Sequence, residues 1–286
     1  MDPSGYGVLS IITIDLNDPM VHQNDIALVA DMSHVYASQE NLYVSLSLGQ
    51  GLIFIETEGS QVIESVKIHK FDIHSDPSRA LYMASGEVDG RLLNQYSMDE
   101  YNGFLRVATT EGYTWDGSAS NNVFVLKEED GKLNIAGEIR EIAPTEQIYS
   151  ARFMGDRGYL VTFKQIDPLF TLDLSDPQHP AIVGELKVPG FSSYIHPIGE
   201  NHLLAIGKDT QDAGTFAWFQ GISLSLFDVS DPANPTLVDK VIGSRGSESE
   251  ALYDPKAFNY FASKNLLAVP ITLYEGGSGR SDWGKF

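Results

Sequence analysis

Three six-residue phrases in this chain echo one another: Ile-Asp-Leu-Asn-Asp-Pro from Ile14, Leu-Asp-Leu-Ser-Asp-Pro from Leu172 and Phe-Asp-Val-Ser-Asp-Pro from Phe227. Each closes a run of alternating apolar residues, and another apolar run follows after a short interval. Alternation at period 2 is the mark of a strand with one face turned inward, and Asx-Pro marks a turn. A strand, an Asp/Pro turn and a second strand, used again and again, restrict the chain to a β-repeat architecture.

The repeat extends beyond these phrases. Asn41-Leu-Tyr-Val-Ser, Phe104-Leu-Arg-Val-Ala, Gly158-Tyr-Leu-Val-Thr, His202-Leu-Leu-Ala-Ile and Asn265-Leu-Leu-Ala-Val form one series of strands. Further series begin near Leu9, Val66, Asn122, Leu169 and Ile222, and near Ile26, Leu81, Leu133, Ala181 and Thr236. A last series runs over 33–38, 92–98, 147–154, 192–198 and 256–262. No segment of ten or more residues carries a 3.6-residue period free of turn residues. Twenty strands in units of about 50 residues predict an all-β fold, a β-propeller of four-stranded antiparallel blades. The chain holds five blade-equivalents, with boundaries near 33, 90, 145, 190 and 249. It starts on the third and fourth strands of one unit and finishes on the first two of another. Residues 1–286 thus read as one propeller domain or a propeller fragment, closed on itself or part of a larger ring; unpaired strand edges favour closure if the chain stands alone.

Composition excludes several functions. Thirty-nine acidic residues against 19 basic ones give a formal charge of −20, which repels nucleic acid over most of a surface. The absence of cysteine removes disulfides, thiolate metal sites and thiol nucleophiles. No apolar run approaches the length of a membrane span, so no membrane insertion is expected of this segment. The amino-terminal residues show no signal peptide; an export signal would have to lie upstream.

From Glu87 to Thr110 the chain reads Glu-Val-Asp-Gly-Arg-Leu-Leu-Asn-Gln-Tyr-Ser-Met-Asp-Glu-Tyr-Asn-Gly-Phe-Leu-Arg-Val-Ala-Thr-Thr. Later come Tyr149-Ser-Ala-Arg-Phe-Met-Gly-Asp-Arg-Gly-Tyr-Leu-Val-Thr-Phe and Tyr194-Ile-His-Pro-Ile-Gly-Glu-Asn-His-Leu-Leu-Ala-Ile-Gly. These stretches resemble the secreted archaeal and bacterial proteins with a C-terminal β-propeller domain distantly similar to WD repeats. The resemblance covers nearly the whole chain. It implies a secreted or cell-surface protein and a propeller of more than five blades, and it supplies no catalytic residues.

Candidate chemistry is sparse. The paired carboxylates Asp15/Asp18, Asp173/Asp176 and Asp228/Asp231 weakly suggest calcium, but a calcium loop needs more converging oxygens, and a capped structural turn explains them better. No cofactor is otherwise expected. Seven histidines show no zinc spacing; His69 and His74 read as surface residues and His179 as part of a turn. His34 and His196 fall in first strands, which line a propeller's channel. Arg152, His196 and Asn259 align at comparable positions, with Gln95 and His34 nearby in theirs. These five, His34, Gln95, Arg152, His196 and Asn259, are the candidate ligand-binding residues of a central funnel. Glu146, Glu250 and Asp254 precede first strands and would form a metal or acid/base site only by converging with a histidine. Nucleophile-elbow and phosphate-loop patterns are missing, and Gly276–Arg280 reads as a flexible loop. Tyr113–Ser120 and Phe216–Gly221 are loops between second and third strands whose aromatics suit contact with sugar or protein. The preferred reading is a non-catalytic extracellular binding or scaffold module for a protein, a glycan or a small polar ligand. The alternative is a hydrolase or metal-dependent enzyme using the polar ring at the funnel.

Overall fold

Twenty strands account for almost all the regular structure of the computed structural model, which describes residues 7–14, 16, 23–29, 34–48, 64–76, 78–163, 167–212 and 217–273. Among these residues there is no α-helix, only four three-residue 3-10 turns. The first turn of the Asp-Pro series (Asp15, Asp18) and the Gly276–Arg280 loop lie outside the described residues, as does Phe216.

An initial hairpin joins β1 (Val8–Ile14) to β2 (Gln23–Val29). Four meanders of four strands follow: β3–β6, with β3 at His34–Ala37, β4 at Asn41–Leu48, β5 at Ser65–Asp72 and β6 at Leu81–Asp89; and β7–β10, with β7 at Met98–Tyr101, β8 at Phe104–Glu111, β9 at Ser120–Glu129 and β10 at Lys132–Ile142. The next comprise β11 (Gln147–Met154), β12 (Arg157–Phe163), β13 (Asp167–Asp173) and β14 (Ala181–Val188), then β15 (Phe191–Ile198), β16 (His202–Asp212), β17 (Ala217–Asp228) and β18 (Thr236–Ile242). A last hairpin pairs β19 (Asn259–Phe261) with β20 (Leu266–Ala268). Within each meander every strand is hydrogen-bonded to the next in sequence. This is a fold of four-stranded antiparallel blades, as the repeat predicts. The chain divides into two compact units, Met1–Tyr159 with Leu172–Ile182 and Leu160–Thr171 with Val183–Phe286.

Two first strands depart from expectation: over 256–262 only Asn259–Phe261 is a strand, between 3-10 turns at Pro255–Ala257 and Ala262–Lys264. In the other, residues 92–97 form no strand; Asn94 accepts a hydrogen bond from the Tyr96 backbone N–H at 2.9 Å and caps a 3-10 turn over Gln95–Ser97, so β7 begins only at Met98. An asparagine side chain that satisfies a nearby N–H competes directly with the ladder.

The inner strands of the β3–β6 blade bury both faces. In β4, Tyr43 joins a core with Val66, Ile68, Val107, Phe124 and Leu126, while Val44 points the other way into a cluster with Leu28, Phe71 and Ala80. Strand alternation sends neighbours along the chain to opposite faces. His69, expected at the surface, is 1% exposed for the same reason: it sits in β5, the third strand of its blade, beside the Tyr82 ring.

Blades also lock through their turns. The fourth strands β6, β10 and β14 carry the same pair, Gly86-Glu87, Gly137-Glu138 and Gly184-Glu185. A Cβ on Gly137 would overlap the Pro177 and Gln178 carbonyl oxygens, and one on Gly184 would overlap the Pro232 carbonyl and the Thr171 hydroxyl. A Cβ on Gly86 would strike Leu133, whose neighbour Lys132 pairs in parallel with Ser85 and fuses the first two blades into an eight-stranded sheet. The Asp-Pro turn joining the third and fourth strands of one blade is therefore seated against a glycine of the blade before it. The expected cost of Gly137→Ala is about 1–3 kcal/mol, because a backbone carbonyl must move to make room. Urea unfolding monitored by circular dichroism measures it, and an unchanged midpoint would remove the seating argument.

Candidate functional site

The antiparallel meander dictates which loops share an end of a blade. First strands set out from the end that carries the connections from the preceding blade and the loops between second and third strands. The opposite end carries the tight first-to-second hairpins and the Asp-Pro turns.

At the Asp-Pro end the carboxylates are engaged in turn geometry. Asp173 Oδ1 accepts from Ser175 N–H at 2.9 Å, Asp228 Oδ1 from Ser230 N–H at 2.8 Å and Asp231 Oδ1 from Ala233 N–H at 3.0 Å. Asp176 takes Gln178 N–H at 2.9 Å and lies 2.9 Å from His179 Nδ1. The Ser175, Ser230, Asn234 and His179 donors hold these four carboxyl groups below the usual aspartate range. The first blade uses the same device without the sequence phrase: Asp72 accepts from His74 and Ser75, and Asp76 from Ser78. Asp254, a candidate acid, caps a 3-10 turn through Lys256 N–H at 2.9 Å. Among the described residues no three of His, Cys, Asp and Glu cluster as a metal site would require.

Of the five funnel candidates, Arg152 and His196 each stand two residues before the end of a first strand, and by ladder register the other three do not share that level. In the ladders, His196 faces Leu204, Tyr36 faces Tyr43, Asp99 faces Arg106 and Tyr260 faces Leu267. Counted from the hairpin that ends each first strand, Tyr36, Asp99 and Tyr260 are the register equivalents of His196. Asn259 stands one residue earlier, on the opposite face, and is exposed, with its side-chain amide donating to the Lys256 carbonyl at 3.3 Å. His34 faces Ser45, two residues earlier than Tyr36 on the same face, and its half-buried imidazole titrates below the ordinary histidine value because burial disfavours the cation. Gln95 is exposed on the 3-10 turn that precedes β7.

Two of the candidates are built into aromatic settings, one in each unit. Arg152, on β11, holds its guanidinium 5.1 Å from the centre of the Tyr96 ring, next to Gln95. Among the described residues it makes no ion pair, so its N–H donors are unspent. His196, on β15, lies within 6.2 Å of Tyr194, 5.5 Å of Phe258 and 5.4 Å of Tyr260, ring centre to ring centre, and its Nδ1 is 3.3 Å from the Tyr194 hydroxyl. Arg152 can therefore offer charged donors to a ligand, whereas His196 belongs to an aromatic cluster.

Sequence reasoning passed over Asp99 and Arg106. Arg106 is 3% exposed, ion-paired to Asp99, donates to the Gly155 carbonyl, and lies over the Tyr101 and Phe153 rings at 5.1 and 5.3 Å. The signal was present in Leu105-Arg106-Val107, an arginine inside an apolar strand, which needs a buried partner.

Consecutive four-stranded antiparallel blades of this kind define a β-propeller. The chain belongs to the beta propeller domain family, which matches it over residues 1–285. It is similar to an uncharacterized protein of Methanocaldococcus jannaschii, 48% identical over 157 residues, which are 54% of this chain and 24% of that protein. It is also similar to an uncharacterized protein of Archaeoglobus fulgidus, 46% identical over 208 residues, 73% of this chain and 30% of that protein. The matched stretches span less than a third of either relative. Among the described residues no helix is long and apolar enough to cross a membrane.

The lowered His34 value has a stability consequence. The unfolded chain takes up its proton near pH 6.5 and the folded chain only at lower pH, so the histidine does not penalise folding above that value. As pH falls below it, stability drops until the folded imidazole also protonates. Between pH 7.5 and 5.0 His34→Gln should lose less stability than the parent chain in matched urea titrations; parallel curves would contradict the assignment.

Proposed function

We propose that this propeller is an exported, non-catalytic binding or scaffold module, distantly WD-like, that recognises a small polar ligand bearing carboxylate or phosphate oxygens. The observation that supports this is Arg152: a half-buried guanidinium oriented by an aromatic ring, with its charged donors uncommitted among the described residues. A flat guanidinium resting on a ring keeps its N–H edge free for planar oxygen pairs, and the ring restricts its motion before the ligand arrives. The acidic exterior keeps such a module soluble and limits indiscriminate capture of polyanions. Export rests on the resemblance to secreted propeller proteins.

An enzymatic reading has one point in its favour, the contact between the Tyr194 hydroxyl and His196 Nδ1 at 3.3 Å. Binding remains the better reading because the His196 imidazole is packed among three rings, and no metal-ligating cluster accompanies it among the described residues.

Calorimetric titration with phosphate, sulfate, citrate and gluconate tests the proposal. Arg152→Ala should weaken whichever ligand binds by tenfold or more, since a hydrogen bond to a charged group contributes about 1.5–3 kcal/mol. Arg152→Lys should restore only part of it, because the ammonium lacks the planar fork. His196→Ala, made separately, should leave that affinity within about twofold. Turnover of chromogenic ester or phosphate substrates that disappears in His196→Ala would replace this reading with the enzymatic one.

A further inference from the structure

The loop between β8 and β9 holds a tryptophan in solvent by design of its hydrogen bonds. Trp115 is 80% exposed, second only to Leu16 among the large hydrophobic residues whose exposure the structure describes. The loop beneath it is tied at every step. Tyr113 N–H donates to the Ser118 hydroxyl at 3.0 Å, Ser118 donates to Asp116 Oδ1 through its N–H at 2.9 Å and its hydroxyl at 2.6 Å, and Ala119 N–H returns to the Tyr113 carbonyl at 3.1 Å. Gly112 starts the turn at φ 63°, where a Cβ would overlap the Ser118 carbonyl.

Below the tryptophan runs a stack. The Trp115 and Tyr113 rings are 5.8 Å apart and inclined by 33°, and the Arg91 guanidinium lies 4.9 Å from the centre of the Tyr113 ring. Glu64 anchors both members below. Its Oε1 accepts from the Tyr113 hydroxyl at 2.7 Å and its Oε2 from Arg91 at 2.7 Å, with both charged side chains largely buried. Arg91 is thus recognised in two ways at once, by a ring face and by a carboxylate.

Trp115 and Asp116 repeat that pair at the surface. The indole is the strongest cation-binding ring, and the adjacent carboxylate has Oδ1 engaged by Ser118 while no hydrogen bond occupies Oδ2. Among the described residues no arginine or lysine of this chain lies over the indole or pairs with Asp116. The surrounding protein carries a formal charge of −20, which draws cations towards it.

We propose that Trp115 and Asp116 receive an arginine or lysine side chain from a basic segment of a partner protein, extending outward the arrangement that Arg91, Tyr113 and Glu64 make within the blade. The rigid loop keeps the ordering cost on binding low. One ring and one carboxylate make a weak contact individually, so the partner segment needs several basic residues, one of them seated here and the rest held by the acidic surface.

The test is titration of the whole chain with a Gly-Arg-Gly-Arg-Gly-Arg amide peptide, following indole fluorescence and calorimetric heat at two salt concentrations. The expected result is a quenched indole signal and at least fivefold weaker binding for Trp115→Ala at unchanged net charge. Asp116→Asn, which keeps an Oδ1 acceptor for Ser118, should weaken binding about threefold and reduce its salt dependence. Peptide affinity that survives Trp115→Ala unchanged would show diffuse charge attraction alone and overturn the proposal. So would a Trp115-dependent response to neutral cellohexaose with none to the peptide, which would assign the platform to a glycan.

Discussion

The blades depend on close approach at a point with no side chain. A turn made by Asp and Pro presents its carbonyl oxygens to a glycine in the fourth strand of the preceding blade, at Gly137 and again at Gly184. Two sheet faces normally stand about 10 Å apart, filled by interdigitated side chains. Removing the Cβ at one place lets a turn settle onto the strand itself, which fixes where the blades meet along their length. The apolar faces supply the driving force, since Tyr43 and Val44 bury opposite sides of the same strand. The turns supply registration, because dispersion and burial alone would tolerate sliding.

The same economy explains the carboxylates. Asp173, Asp176, Asp228 and Asp231 read in isolation as possible cation ligands, yet their oxygens close the turns that seat against the neighbouring blade. A turn that must hold one shape cannot leave its N–H groups to water, and an aspartate side chain satisfies them locally. Many acidic residues thus serve architecture at the Asp-Pro end. At the other end of the blades, Glu64, Arg91 and Tyr113 lock an aromatic loop. The two ends of such a blade therefore differ, with Asp-closed turns at one and an aromatic loop held by a buried ion pair at the other.

Buried charge follows a consistent rule in this fold. Arg106, Arg91 and Lys70 all point from strands or connections into regions shared by two blades, and each finds a carboxylate, at Asp99, Glu64 and Glu128. Removing one partner of such a pair leaves an uncompensated charge, so these pairs specify how blades meet more than they add net stability. Arg152 stands apart as a cation partnered by a ring rather than by an acid.

Strand positions, turn positions and the four-stranded repeat were legible in the residues, because alternation and turn chemistry act over two to six neighbours. The recurring Gly-Glu pair of the fourth strands was also legible, at Gly86, Gly137 and Gly184, but its meaning was not, since only a neighbouring blade shows why a Cβ is excluded. Register in the first strands escaped the sequence for a physical reason: it depends on hairpin length and local 3-10 turns, so that Tyr260 rather than Asn259 matches His196, and Gln95 leaves its strand altogether. The pairing of Tyr113 with Glu64, 49 residues apart, likewise awaited folding. Local chemistry determined that this chain makes blades; the packing of one blade on the next decided which of its polar and aromatic groups remain free to meet something else.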